Sequence, residues 1–289
     1  MRHLSAAFDT VDHSKLLEIL CHEIGVVGIA LEWFRSFLTN RTQKVKIGNT
    51  YSDESILPYG VPQGSVLGPP LFSIYTRSLY KYVGPTKFEI GFADDHQLVK
   101  QFLLSLQCKV LGEDIVKCLQ CISKWMNEHF LCLNQSKTKI LVVAPPAIKR
   151  KILIGGVLLD TKCIRFVESA KNLGVVLDSV LSFEVQINKV VKSCFSIIRK
   201  LYKIKGFLSQ EHLQVLVSSY VFSQLDYCNS LYYGLSGNLL KKLQRVQNSA
   251  VRLVSKKRVP LHTTLENIFI DFHWLKVGEN NIQNITNCA

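Results

Sequence analysis

The segment "GFADDHQ" at residues 91–97 sets Asp94 and Asp95 side by side between two short stretches that read as strands, "KFEIGF" and "HQLVKQ". Adjacent carboxylates repel, and apolar flanks make their burial costly unless a cation neutralises them. In isolation the pair reads as a solvated turn with two acids, because Asp is common in turns. At a hairpin tip with a cation close by, the same two residues would form a charged site.

The elements that would position this pair mix helix and strand up to about residue 180. "HSKLLEILCHEI" and "IALEWFRSFLTN" have helical apolar spacing, and "QKVKIGNTYSDESIL" reads as a hairpin turning at "GNT". The Gly/Pro-rich loop "LPYGVPQGSVLG" then feeds an apolar helix. Beyond the Asp pair the spacing predicts a long helix over about 106–130, a strand in "LNQSKTKILVV" and a hairpin in "ILIGGVLLD". From residue 181 onward every periodic segment is helical.

Composition bounds the function classes. The chain has 289 residues, 47% hydrophobic and 20% charged, enough for one large or two ordinary globular domains. Its net charge is +13, and residues 181–289 hold 14 basic against 6 acidic side chains, which favours a polyanionic partner. The N-terminal "MRHLSAAFDTVDH" has no apolar targeting core, and no apolar run approaches the roughly 18 residues of a membrane helix, so an intracellular protein, nuclear or cytoplasmic, is expected. The nine Cys are scattered and odd in number, which suits reduced thiols. Cys118 and Cys121, followed by His129 and Cys132, come nearest to a zinc set, but the spacing matches no zinc ligand set, and in the helical pattern of "LGEDIVKCLQCISKWMNEHF" the cysteines read as buried helix thiols.

Five motifs in order carry a resemblance: "LSAAFDTVDH", "GVPQGSVLGPPLF", "FADD", "LCLNQSKT" and "NLGVVLD". Together they resemble the reverse transcriptases of non-LTR (LINE-type) retrotransposons, with the Jockey-like and chicken-repeat-like branches nearest. "LDYCNSLYYG", "LQRVQNSAVRLV" and "FHWLKV" extend the similarity over nearly the whole chain.

The resemblance implies an RNA-directed DNA polymerase that binds an RNA template, a DNA primer and deoxynucleoside triphosphates. Two metal ions, Mg²⁺ with Mn²⁺ as a substitute, would stabilise the attacking and leaving oxygens of an in-line displacement. Asp94 would then bind metal directly and Asp95 would support the site. Gln63 and Gly64 would face the incoming nucleotide and the templating base, in a loop shaped by Gly60 and Pro62. Phe8 would exclude a ribose 2′-hydroxyl, although alone it reads as core. Lys137 would protonate the leaving pyrophosphate, although a lone Lys in a polar loop reads as solvated. In "FEVQINKVVKSCFSIIRKLYKIK" the stripe Phe183, Ile187, Val190, Val191, Cys194, Ile198 and Leu201 is apolar, while Lys189, Lys192, Arg199 and Lys203 recur on another face. Those four would track a duplex by phosphate contacts, or act as a solubilising face. "SKKRV" at 255–259 is open to the same two readings.

The sequence also departs from the pattern. The family motif begins with a metal-binding aspartate two residues before the Ser of "LSAAFD", and here that position is His3. Imidazole is a poor Mg²⁺ ligand compared with carboxylate. Asp9 matches a separate acid of the motif. Lys139 and Lys276 stand where the family more often has Glu and Pro. Only three residues precede Leu4, so most of the strand for that aspartate, and the fingers, are expected to be missing.

These readings predict an α+β right-hand polymerase palm (1–180), truncated and lacking fingers, followed by an all-α thumb-like bundle (181–289). They describe a reverse transcriptase fragment defective in catalysis, with a non-catalytic nucleic-acid-binding relic as the alternative.

Overall fold

Asp12 starts the first long helix of the chain: its Oδ1 accepts the backbone N–H of Lys15 at 2.7 Å, and helix α1 (His13–Ile19) follows. A capping carboxylate satisfies a donor that the first helical turn leaves open. The computed structural model describes residues 2–3, 7–62, 64–83, 87–92, 95–101, 108–150, 155–159, 162–255 and 265–277. The chain divides into two units, Met1–Val167 and Glu168–Ala289.

In the first unit a short strand β1 (Arg2–His3) precedes α1, which runs on as a π-helical turn to Ile24 and stops at Gly25 with φ 85°. Helix α2 (Ile29–Leu38) leads into an exposed double hairpin. There β2 (Arg41–Gln43) pairs with β5 (Ser55–Leu57), and β3 (Lys46–Ile47) pairs with β4 (Thr50–Tyr51) around Gly48. Helices α3 (Gly68–Thr76) and α4 (Tyr80–Val83) follow the Gly/Pro loop, then β6 (Lys87–Phe92) and β7 (Asp95–Lys100). The long helix is α5 (Cys108–Glu128), and β8 (Ile140–Leu141), α6 (Pro146–Lys149), β9 (Gly156–Leu159) and β10 (Lys162–Val167) complete the unit.

Two three-stranded sheets result, in the orders β1-β7-β6 and β8-β10-β9. The first is antiparallel throughout, and β8 runs parallel to β10 in the second. Leu16, Leu20, Leu38, Phe72, Tyr75, Ile122 and Trp125 form the dry centre of the unit. Tyr75 donates to the carbonyl of His129 at 2.7 Å, and His129 stacks on Trp125 with ring centroids 4.0 Å apart. Burial pushes the Tyr75 phenol up to about 12 and holds the His129 imidazole below its ordinary range.

The second unit opens with a hairpin, β11 (Ser169–Asn172) and β12 (Val175–Asp178), closed by Leu173 and Gly174 at φ 42° and 90°. A Cβ on Gly174 would come within 3.2 Å of the Tyr227 ring. Helices α7 (Glu184–Ile204), α8 (Gln210–Val217), α9 (Ser223–Asp226), α10 (Gly237–Val254) and α11 (Glu266–Asp271) follow. On α7 the predicted stripe is the buried one: Ile187, Val190, Cys194, Ile198 and Leu201 enter the core with Val217, Val221, Val246 and Ala250. Each large aliphatic side chain buried this way stabilises the fold by about 1.5–3 kcal/mol.

Mixed helix and strand therefore hold as read from the sequence, and among the described residues the strand content of the second unit is confined to its first hairpin. No helix among the described residues is long and apolar enough to cross a membrane.

Candidate active site

The acidic hairpin is built as its alternation predicts. Strands β6 and β7 pair antiparallel from Lys87↔Lys100 to Phe92↔Asp95, so Asp95 forms the last rung before the connection. Asp94 lies in that connection, outside the described residues. Asp95 is half-buried and begins β7. At the far end of the hairpin Lys100 makes an ion pair with Asp114 of α5. On the other edge of β7, β1 pairs Arg2 with His96 and His3 with Asp95. Position 3 is thus the direct backbone neighbour of Asp95, carried there by a strand of two residues.

The Gly/Pro loop is fastened to the turn that carries Phe8. Gly60 N–H donates to the Val11 carbonyl and Val61 N–H to the Phe8 carbonyl, both at 2.8 Å, and Asp12 forms a bridge with Tyr59. His13 is buried and holds the Gly60 carbonyl 2.7 Å from its Nε2. Gly60 has φ 93°, and a Cβ there would lie 3.0 Å from both Cα and O of Asp9. Its missing side chain thus admits the neighbouring backbone segment. Past Pro62 the chain turns on Ser65, whose Oγ donates to the Pro62 carbonyl at 2.7 Å and accepts from Gly68 N–H at 3.0 Å. Gly64 is exposed with φ 80°, and Gln63 lies outside the described residues. The Phe8 ring is half-buried and stacks on Phe72 at 4.6 Å.

Lys137 is exposed in a turn organised by Asn134, whose Oδ1 accepts from Ser136 Oγ and Lys137 N–H at 2.7 and 3.1 Å. Cys118 is buried, but Cys121 and Cys132 are exposed, so buried thiols describe only the first of the three. No group of three His, Cys, Asp or Glu able to hold a metal occurs among the described residues.

In the second unit Lys189, Lys192, Arg199 and Lys203 are all exposed on α7, opposite its buried stripe. Of the basic cluster at 255–259, residues 256–259 lie outside the described residues. The start of α7 is held by Asp178, which accepts from the N–H groups of Val180, Ser182 and Phe183 at 3.1, 2.9 and 2.7 Å. Burial raises the Asp178 carboxyl, but these bonds and the Ser182 hydroxyl outweigh it and hold the group below its ordinary range.

His13 and Tyr75 carry no signal in single-residue chemistry, because each acts through a contact between segments, whereas Asp178, the last residue of "NLGVVLD", acts on the turn directly after it. For Asp12 the available signal is an acid directly before a helical pattern.

The sequence pattern of the family described as reverse transcriptase (RNA-dependent DNA polymerase) matches residues 3–177. A probable RNA-directed DNA polymerase from transposon BS of Drosophila melanogaster is 26% identical over 235 residues, covering 76% of this chain and 25% of that protein. The RNA-directed DNA polymerase from mobile element jockey of the same fly is 25% identical, covering 87% of this chain and 27% of its own length. The jockey polymerase of Drosophila funebris is 25% identical over 290 residues, 96% of this chain and 30% of the relative. This chain therefore spans less than a third of the length of these relatives. It belongs to the reverse transcriptase family, with homology to jockey and other non-LTR retrotransposon RNA-directed DNA polymerases.

Proposed function

We propose that the chain is the palm and thumb portion of a non-LTR retrotransposon reverse transcriptase, able to hold an RNA template with its DNA primer but short of a complete metal centre. The observation that carries this reading is the pairing of His3 with Asp95, which supports position 3 as a member of the acidic site. Family chemistry requires divalent ions there, and Mg²⁺ takes hard oxygen donors. Asp95 offers such a donor, whereas an imidazole at position 3 favours softer transition metals. With His3 at the third position, the residues present do not fit an Mg²⁺ set of three carboxylates.

The remaining groups would still select and hold substrate. Phe8, fixed by its stack on Phe72, would exclude a 2′-hydroxyl, while Gln63 and Gly64 would meet the nucleotide and templating base. Lys137, solvent-facing on its Asn134 turn, would be free to approach a pyrophosphate. Lys189, Lys192, Arg199 and Lys203 would contact duplex phosphates without reading sequence. The same His3 favours a second reading, a nucleic-acid-binding relic with no turnover at all.

Primer extension on an RNA template with deoxynucleotides tests the proposal. The unmodified chain should bind the primer–template, more weakly as salt rises, and extend it negligibly with Mg²⁺. Loss of one electrostatic element at a phosphoryl-transfer centre commonly costs about 3–4 kcal/mol, or two to three decades in rate. Robust synthesis by the unmodified chain would overturn the metal deficit, and salt-independent binding would overturn the phosphate contacts.

A further inference from the structure

The helical unit contains a cavity of about 640 Å³ between the start of α10 and the start of α7. Lys241, Lys242 and Arg245 line it from α10, with Ser236 and Asn238 at the helix head and Ser182 on the facing segment. Glu184 is the one acidic residue among the described residues of the lining, and it stands 3.9 Å from Lys242, whose Nζ also donates to Asn188 at 2.8 Å. Lys241 and Arg245 are exposed and make no ion pair among the described residues. They lie four residues apart, on one helix face. Like charges on one concave surface repel, and a multivalent anion in the cavity relieves that repulsion. At the helix head Ser236 makes no side-chain cap, and its carbonyl takes the N–H groups of Leu239 and Leu240 at 3.0 and 3.2 Å.

We propose that this cavity binds a phosphate group of a single-stranded nucleic acid. The Ser236 hydroxyl and the Asn238 amide, together with an Arg and a Lys, suit the oxygens of a phosphate. A flexible strand can turn one phosphate into a concavity, which a stiff duplex does less readily. Family membership and the surplus of positive charge select nucleic acid among phosphate carriers. None of Lys189, Lys192, Arg199 and Lys203 lines the cavity, so the site is separate from the α7 face and requires no catalysis.

The test is fluorescence anisotropy of the full chain with a ten-nucleotide oligothymidylate, made with either a 5′-phosphate or a 5′-hydroxyl, between about 50 and 200 mM salt. Lys241→Gln with Arg245→Gln should weaken binding about fivefold at the lower salt and shallow the log–log salt slope by about 0.7 for each phosphate no longer neutralised. Lys241→Arg, which keeps the charge, should retain binding. Lys189→Ala with Lys192→Ala should leave the effect of the cavity variant unchanged, so failure of the duplex-tracking face and failure of this site are read separately. Loss of a preference for the 5′-phosphorylated strand assigns a terminal phosphate, and equal loss on both strands assigns a backbone phosphate. Unchanged affinity and slope in the double Gln variant would overturn the proposal. So would tighter binding of a polyglutamate peptide than of either strand, or binding of inorganic phosphate alone. Both positions are exposed, so the thermal midpoint should not move, and Lys241→Met with Arg245→Met gives a second reading of the same loss.

Discussion

In Met1–Val167 the candidate residues are held by backbone contacts between segments far apart in the chain, whereas in Glu168–Ala289 they ride on a helix whose opposite face is buried. The Phe8 turn, the Gly60 loop and α1 meet through carbonyls and N–H groups with almost no room between them. The cations of α7 need only that the helix exist. The first arrangement should be intolerant of small changes at glycine and indifferent to charge. The second should be intolerant of lost apolar volume and tolerant of nearly any exposed substitution.

The largest effect is expected at Gly60. Gly60→Val places a branched side chain at positive φ and against the Asp9 backbone, a cost of roughly 2–6 kcal/mol. Amide hydrogen exchange should show the amides of residue 60 and Val61, which donate to the Val11 and Phe8 carbonyls, losing protection, and retained protection would mean the loop is not fastened where the hydrogen bonds place it. Ile187→Ala, at a fully buried position of α7, should cost about 2–5 kcal/mol in a denaturant titration. Lys189→Ala beside it should stay within about 0.5 kcal/mol.

Asp178→Ala comes next, at about 1–3 kcal/mol, because the buried Phe183 N–H loses its acceptor. The carboxyl is held below its unfolded value, near 3.9. Its stabilisation is therefore complete above that unfolded value and is lost as pH falls through the lower folded pKa. Asp178→Asn should flatten this acid dependence, and an unchanged acid transition would show that the hydrogen bonds do not favour the ionised form. The smallest effect on stability, and the clearest on binding, is expected from Lys192→Ala with Lys203→Ala: no change in unfolding midpoint, but a duplex salt slope shallower by about 0.9 for each phosphate the two lysines neutralise.

Much of this architecture was legible because it is local. Period-2 alternation gave the β6–β7 hairpin, and apolar spacing over 106–130 gave α5 at Cys108–Glu128. The division of the chain was less so. Periodicity changes character near residue 180, yet the units part after Val167, because the β11–β12 hairpin packs with the helices: Val175 is in their core, and Gln186 accepts from Val176 N–H at 3.0 Å. Alternation tells which face of a strand is apolar, not which body it will cover. Among candidate site residues, the motif order singled out Phe8, Gly60, Gly64, Asp95 and Lys137. The buried link from His13 to Gly60 spans 47 residues and leaves no periodic trace.

The proposed metal deficit at position 3 is tested most directly by titrating Mn²⁺ into the unmodified chain, His3→Asp, and His3→Asp with Asp95→Asn, reading bound metal by electron paramagnetic resonance. If position 3 belongs to the metal centre beside Asp95, His3→Asp should bind at least about tenfold more tightly, about 1.4 kcal/mol, and Asp95→Asn should cancel the gain. Equal affinity in the unmodified and His3→Asp chains would contradict it.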